Sequence, residues 1–211
     1  MTGAPVAHHS EIDEQFAVPG ERRPELAHAC AVEAGTLDAP SFHSPAWLEL
    51  DRLDAADGFA TRRAARAVLR RPSDGRFLIF RYPFRDGSMR FVVPGGGAEA
   101  GEEPLDALTR EVVEETGTAP RELEHSGLLL YHLLASTIHG EGRTPTIQYS
   151  PVLTGVIDDE LPDTGGREAC WYTVEEFLAE PRRPISDPLV AILRASEQGE
   201  RIEPRAVWLP A

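Results

Sequence analysis

Residues 96–118 read GGAEAGEEPLDALTREVVEETGT, a glycine-rich turn running into a helical pattern. Pro104 suits the first position of a helix, where the missing N–H costs nothing, and Gly117 suits the residue just past its end. The expected helix therefore covers 104–116. Leu105, Leu108 and Val112 recur at i, i+3 and i+7 and predict one apolar stripe. Glu111, Glu114 and Glu115 recur at i, i+3 and i+4 and share a face. At about 100° per residue that face lies beside the stripe. The helix can bury its leucines and still line a cleft edge with carboxylates. Like charges at these spacings repel by roughly 0.2–0.5 kcal/mol per pair, a cost that something must offset. Two readings fit the carboxylates alone. One is a solvated face, ordinary in a chain with 35 acidic residues; the other is a site for a hard divalent cation such as Mg²⁺ or Mn²⁺ with oxygen ligands.

Before this stretch, strand signals dominate. Ala65, Ala67 and Leu69 alternate with Arg66, Val68 and Arg70; Pro72–Gly75 is a turn, and Phe77–Phe80 is a short buried run. Arg85-Asp86-Gly87 makes a second turn, and the strand at 90–93 is stopped by Pro94 and three glycines. The pattern predicts an antiparallel meander leading into the glycine loop. After the helix, strands are expected at 128–134, 146–157 and 169–173, and helices at 174–179 and 187–196. Residues 158–166 form a polar loop. Further upstream, Ser44 and Pro45 form a cap-and-first-turn pair ahead of Trp47, Leu50 and Leu53 at helical spacing. Residues 1–40 carry no sustained apolar period and read as a tail, in which His8 and His9 are solvated. Pro204–Ala211 is a second tail, with Val207, Trp208 and Leu209 able to dock on the body. Strands and helices mix without strict βαβ alternation, which indicates an α+β fold.

The chain has 211 residues, enough for one well-filled core, and no run of 18 apolar residues. The N-terminus lacks a basic stretch followed by an apolar one, so a cytoplasmic protein with reduced Cys30 and Cys170 is expected. A net charge of −14 argues against strong nucleic-acid binding, which needs a basic footprint. It leaves phosphate ligands open, because bound cations invert the local field. Every fixed positive side chain is an arginine, so no lysine can serve as nucleophile or phosphate clamp.

The residues Gly96, Glu102, Arg110, Glu111, Val112, Glu114, Glu115 and Gly117 follow the spacing Gly-x5-Glu-x7-Arg-Glu-U-x-Glu-Glu-x-Gly-U, where U is a bulky aliphatic. In this the chain resembles the Nudix hydrolase family. It departs only at the last position, where Thr118 keeps a branched shape and touches packing more than chemistry. Pro94-Gly95-Gly96 ahead of the helix and Glu168-Ala169-Cys170-Trp171 with Glu175-Glu176-Phe177 behind it are also similar to the family. The resemblance covers about residues 60–197. It implies an α/β/α sandwich with a mixed sheet, and hydrolysis of a nucleoside diphosphate linked to another moiety, with Mg²⁺ or Mn²⁺ as cofactor. The chain divides accordingly into an N-terminal extension at 1–55, a Nudix domain at 56–200 and a tail at 201–211.

Carried onto matched positions, the resemblance makes Glu111, Glu114 and Glu115 the metal ligands and Glu111 also the base. It gives Glu102 a supporting role, has Arg110 hold the carboxylates, and lets a carbonyl of Gly95 or Gly96 complete the metal shell. The implied partner is a small diphosphate compound, nucleotide-derived, with no membrane; a homodimer stays open. A non-catalytic nucleotide-sensing module of the same fold is the alternative, but such a module is expected to lose box carboxylates, and all four are present. An isopentenyl-diphosphate isomerase shares the scaffold, but neither cysteine stands in a proton-handling context. Outside the box, Glu168 reads first as a carboxylate that fixes a loop and second as a ligand or base. His125, His132 and His139 recur every seven residues, a poor ligand spacing in extended chain. Arg81 and Arg85 could meet phosphate, and Tyr131 and Tyr149 read first as core aromatics.

Overall fold

The computed structural model describes residues 41–43, 45–56, 60–83, 89–133, 146–161, 164–180, 187–198 and 206–209. The expectations for residues 1–40, for Ser44 as a cap, and for Cys30, Arg85 and His139 lie outside these residues.

The helix expected at 104–116 is α2, Pro104–Thr116, and Gly117 closes it in the left-handed region at φ 72° with its N–H on the Val113 carbonyl. Ahead of it come α1 (Pro45–Ala56), β1 (Ala60–Arg63), β2 (Arg66–Arg70), β3 (Phe77–Pro83) and β4 (Met89–Val92). Behind it come β5 (Arg121–Leu133), β6 (Thr146–Val156), β7 (Glu168–Tyr172), α3 (Val174–Ala179), α4 (Asp187–Gln198) and β8 (Ala206–Leu209).

The strands form one mixed sheet. The expected meander is present in that β3 pairs antiparallel with both β2 and β4. It is only part of the sheet, because β7 also runs antiparallel along β3, from Phe77↔Tyr172 to Arg81↔Glu168. β1 and β2 lie in one line against β6, both parallel to it, with Ala60↔Thr146 at one end and Arg70↔Val156 at the other. β5 pairs antiparallel with β6, and β8 pairs parallel with β5. Residues 206–209, read as a docking tail, thus add a strand: three consecutive apolar residues suit an edge pairing.

Two apolar layers flank the sheet. Ala65, Ala67, Leu69, Leu78, Phe80 and Leu153 face Leu108 and Val112 of α2. Val68, Phe77, Ile79, Phe91 and Val152 face Val174 and Phe177 of α3 and Leu193 of α4. Burial of each of the larger side chains, the valines, leucines, isoleucine and phenylalanines, contributes about 1.5–3 kcal/mol. The result is the expected α/β/α sandwich. β2 is buried on both faces, Ala67, Val68 and Leu69 alike. A strand paired in parallel inside a sandwich must bury both faces, and Arg66 and Arg70 take only its ends.

Two further expectations change. β1 is a strand that the sequence does not announce, because Thr61-Arg62-Arg63 shows no apolar alternation. Leu105 leaves the buried stripe and is 37% exposed. The buried arc of α2 holds Pro104, Ala107, Leu108, Val112, Glu115 and Thr116, so it turns toward Glu115 and Leu105 lies at its edge.

Candidate active site

The loop from Pro94 to Ala98 runs beside β1 and β2 like an extra strand. Ala67 N–H donates to the Pro94 carbonyl at 2.9 Å, Ala65 N–H to the Gly96 carbonyl at 3.0 Å, and Ala98 N–H to the Arg63 carbonyl at 2.9 Å. The glycines are needed for this approach. Gly95 has φ 121°, and a Cβ there would overlap the Ala65 carbonyl and reach within 3.0 Å of the Arg66 Cα. A Cβ on Gly96 would occupy the space of the Glu111 carboxylate. The loop therefore puts bare backbone directly under a carboxylate of α2.

Glu102 and Arg110 brace the loop against the helix. Arg110 Nε and Nη2 donate to the two Glu102 oxygens, each at 2.8 Å, and Nη2 also reaches the Gly97 carbonyl at 2.9 Å. Nη1 reaches Glu111 at 3.1 Å and Glu114 at 3.5 Å. The Arg110 bonds, with the Glu99 N–H second, hold the Glu102 carboxyl at a pKa of about 2. The same fork pushes the Arg110 pKa up, with Glu102 the larger cause.

The three helix carboxylates occupy different environments. Glu111 stands over Gly96. Glu114 points outward, its side chain 58% exposed. Glu115 lies in the buried arc, 7% exposed, where its Oε2 accepts the Gly95 N–H at 2.9 Å and its Oε1 stands 3.5 Å from Arg167. Burial pushes its pKa up, against the opposing pull of the Gly95 N–H, Arg167 and Arg66. As the side chains stand, no group of three His, Cys, Asp or Glu among the described residues is close enough to hold one ion. The carbonyls of Gly95 and Gly96 each have a protein partner, Arg66 Nη1 and Ala65 N–H.

Several arginines around this loop were not singled out by the sequence. Arg62 Nη1 donates to Gln148 Oε1 at 2.8 Å, and the Gln148 amide donates to Ser150 Oγ at 2.9 Å. Burial and then Arg66 lower the Arg62 pKa, while Glu111 opposes them. Gln148 and Ser150 are buried polar residues on a strand, a signal visible only once β1 is known to pair with β6. Arg66 and Arg167 gain meaning from the loop and from Glu115, which are distant in sequence.

Glu168 is placed by register opposite Arg81, which grips both its oxygens at 2.8 and 2.5 Å and lowers its pKa. That geometry ties β7 to β3, strand to strand, rather than fixing a loop. Cys170 is half-buried on the same strand, and burial raises its thiol pKa. His125, His132, Tyr131 and Tyr149 lie on β5 and β6, away from the box in sequence. Thr118 does its packing through backbone: its N–H and carbonyl both meet the Thr116 hydroxyl, at 3.1 and 3.0 Å.

Comparison with known proteins adds three findings. The sequence model described as the NUDIX domain matches residues 60–193. Diphosphoinositol polyphosphate phosphohydrolase 3-beta of Bos taurus is 31% identical over 124 residues, which are 58% of this chain and 69% of that protein. Diphosphoinositol polyphosphate phosphohydrolase 2 of Rattus norvegicus is 29% identical over 123 residues, 58% of this chain and 63% of that protein. The chain thus spans about two thirds of the length of these relatives. Among solved structures, a mutator MutT protein from Bacillus halodurans aligns with a TM-score of 0.52 at 21% identity, covering 71% of this chain and 90% of that one. A NUDIX hydrolase from Nitrosomonas europaea aligns with a TM-score of 0.51 at 20% identity, covering 68% and 93%. At such identities the two structures show the fold.

Proposed function

The chain belongs to the Nudix hydrolase family, enzymes acting on phosphorus-containing acid anhydrides, and from that premise we propose that it is a metal-dependent pyrophosphohydrolase whose metal ligands are Glu111, Glu114 and Glu115. The observation that carries this reading is the Glu111 carboxylate poised over the bare backbone of Gly96, beside the buried Glu115. The donor set is all oxygen and suits a hard cation such as Mg²⁺ or Mn²⁺. A buried carboxylate whose burial already raises its pKa is one that a nearby cation relieves. Bound there, the ion supplies a water of lowered pKa and neutralises charge on the phosphates.

The chain's own residues do the rest. Glu111 takes the proton of the attacking water. Arg110, locked on Glu102 and the Gly97 carbonyl, holds Glu111 in reach. The carbonyls of Gly95 and Gly96 keep a second lone pair for the site. Arg62 and Arg66 bring two guanidinium groups against the loop, and no carboxylate lies within 4 Å of either among the described residues, which suits them to anionic oxygens. The substrate is a small molecule carrying a diphosphate, with a nucleoside diphosphate linked to another moiety as the first class. Diphosphoinositol polyphosphates are the second, favoured by the relatives' names and by the arginine-lined loop. We place the hydrolase fold at residues 56–200, with 1–55 ahead of it and 201–211, which includes β8 of its sheet, behind it.

The test is a panel of both substrate classes with Mg²⁺ or Mn²⁺, read as released phosphate. Turnover of at least one compound, abolished by EDTA, is expected. A folded protein inert toward every compound with either metal would sink the proposal.

A further inference from the structure

Phe42 and Trp47 are fully buried, yet neither belongs to the two layers of core flanking the sheet. Their rings meet edge to face at 5.6 Å. Phe42 is tied instead to Glu103 and Arg63, which flank the site. The Phe42 N–H donates to Glu103 Oε2 at 2.9 Å, and His43 Nε2 stands 3.5 Å from Glu103 Oε1. Glu103 directly precedes α2, but its side chain does not cap that helix. It is committed to the segment 61 residues upstream. The second link runs through Arg63. Its guanidinium lies 5.8 Å from the centre of the Phe42 ring and pairs with Asp51 of α1. Its carbonyl accepts the Ala98 N–H, and the next residue, Ala64, bridges to Gly97.

The two links end at opposite ends of the stretch 97–103, which joins the glycine loop to the carboxylate helix. Asp51 carries one more observation: its Oδ1 is buried with no hydrogen-bond partner. An unsatisfied buried oxygen costs stability. The other oxygen of Asp51 pairs with Arg63 and fixes the orientation of that guanidinium.

We infer that residues 42–56 are a working part of the active site, in which Asp51 and Phe42 act as positioning residues that hold the glycine loop and the start of α2 in the geometry Glu111 needs. This element lies outside the matched domain, which starts at residue 60. The inference rests on the reading of Glu111 as base and metal ligand.

The test uses the full chain and four variants: Asp51→Ala, Asp51→Asn, Glu103→Ala and Glu103→Gln, the last keeping an acceptor for the Phe42 N–H. Amide exchange over residues 94–103 and Mn²⁺ affinity are measured beside kcat, KM and thermal melting. In Asp51→Ala and Glu103→Ala, exchange over 94–103 rises about tenfold or more, a local opening confined to that stretch. Mn²⁺ binds more weakly, and kcat falls about tenfold with KM within about twofold, as expected for a misplaced reacting group. Glu103→Gln behaves like the wild type. Unchanged exchange and Mn²⁺ affinity in both alanine variants overturn the inference, as does a lowered melting temperature with kcat intact below it. If Asp51→Ala does not fold, Asp51→Asn and the Glu103 pair decide the matter. Should the wild type turn over no diphosphate, the proposed function fails by itself, and exchange and Mn²⁺ affinity still judge the positioning role.

Discussion

Replacing Gly96 by alanine should separate stability from activity. The new Cβ would fall inside contact distance of the Glu111 Cδ and both carboxylate oxygens. Restoring ordinary contact at about 3.5 Å requires the carboxylate to withdraw by roughly 1 Å. The obstacle is the free end of a side chain, so the backbone need not move. Displacing the Glu111 rotamer costs about 0.5–1.5 kcal/mol. Against this, Gly→Ala at a backbone conformation that alanine accepts contributes about 0.4–1 kcal/mol by restricting the unfolded chain. The two nearly cancel, so the melting temperature should move by no more than about 3 °C in a chain of this size. Activity should not survive: a reacting group misplaced by about 1 Å costs on the order of 10²-fold in rate. The assay pairs thermal melting with steady-state turnover of the best diphosphate from the panel. A variant with wild-type kcat refutes the placement of Glu111 over the loop. A variant that unfolds shows that the obstacle is backbone.

Other perturbations give different signatures. Gly95→Ala meets the Ala65 carbonyl and a φ of 121°, so chemical denaturation should reveal a loss of at least about 2 kcal/mol. Glu115→Gln keeps an acceptor for the Gly95 N–H and removes a buried charge whose pKa is raised in the fold. In EDTA at neutral pH it should melt no lower than the wild type, and with metal it should lose most turnover; a sharp fall in the EDTA melt contradicts the burial argument. Asp74, gripped first by Arg71, has its pKa lowered to about 2. Its folded value lies below an unfolded value near 3.9, so its contribution is present above about pH 4 and fades as pH falls toward 2. A carbon-detected NMR titration should place its midpoint near 2 in the wild type and closer to 4 in Arg71→Ala.

The helix 104–116 was legible because everything that makes it is local: a proline at its start, a glycine after its end and an apolar repeat between them. The carboxylate spacing was legible for the same reason, but the fate of each carboxylate was not. Periodicity put Glu111, Glu114 and Glu115 on one face, whereas the fold buries Glu115 and leaves Glu114 in water, because the helix turns its Glu115 edge toward the sheet. β1 has no local signature because its polar sequence gains strand character only from β6, which begins 86 residues later. The same separation hid the bond from Arg62 to Gln148. Phe42 belongs to no local pattern, and its segment is tied to the site by the hydrogen bond to Glu103 and by the Asp51–Arg63 pair, both long-range. Local chemistry reads from spacing; the surroundings that tune it come from pairings across the chain.

The central claim is that the carboxylate over Gly96 takes part in cleaving a diphosphate. The most direct measurement is the turnover number of Glu111→Gln on that diphosphate with saturating Mg²⁺, beside amide exchange to confirm the fold. The predicted result is a folded protein whose kcat falls by at least about 10²-fold, the lower range for loss of a positioned general base. A folded Glu111→Gln protein with wild-type kcat would contradict it.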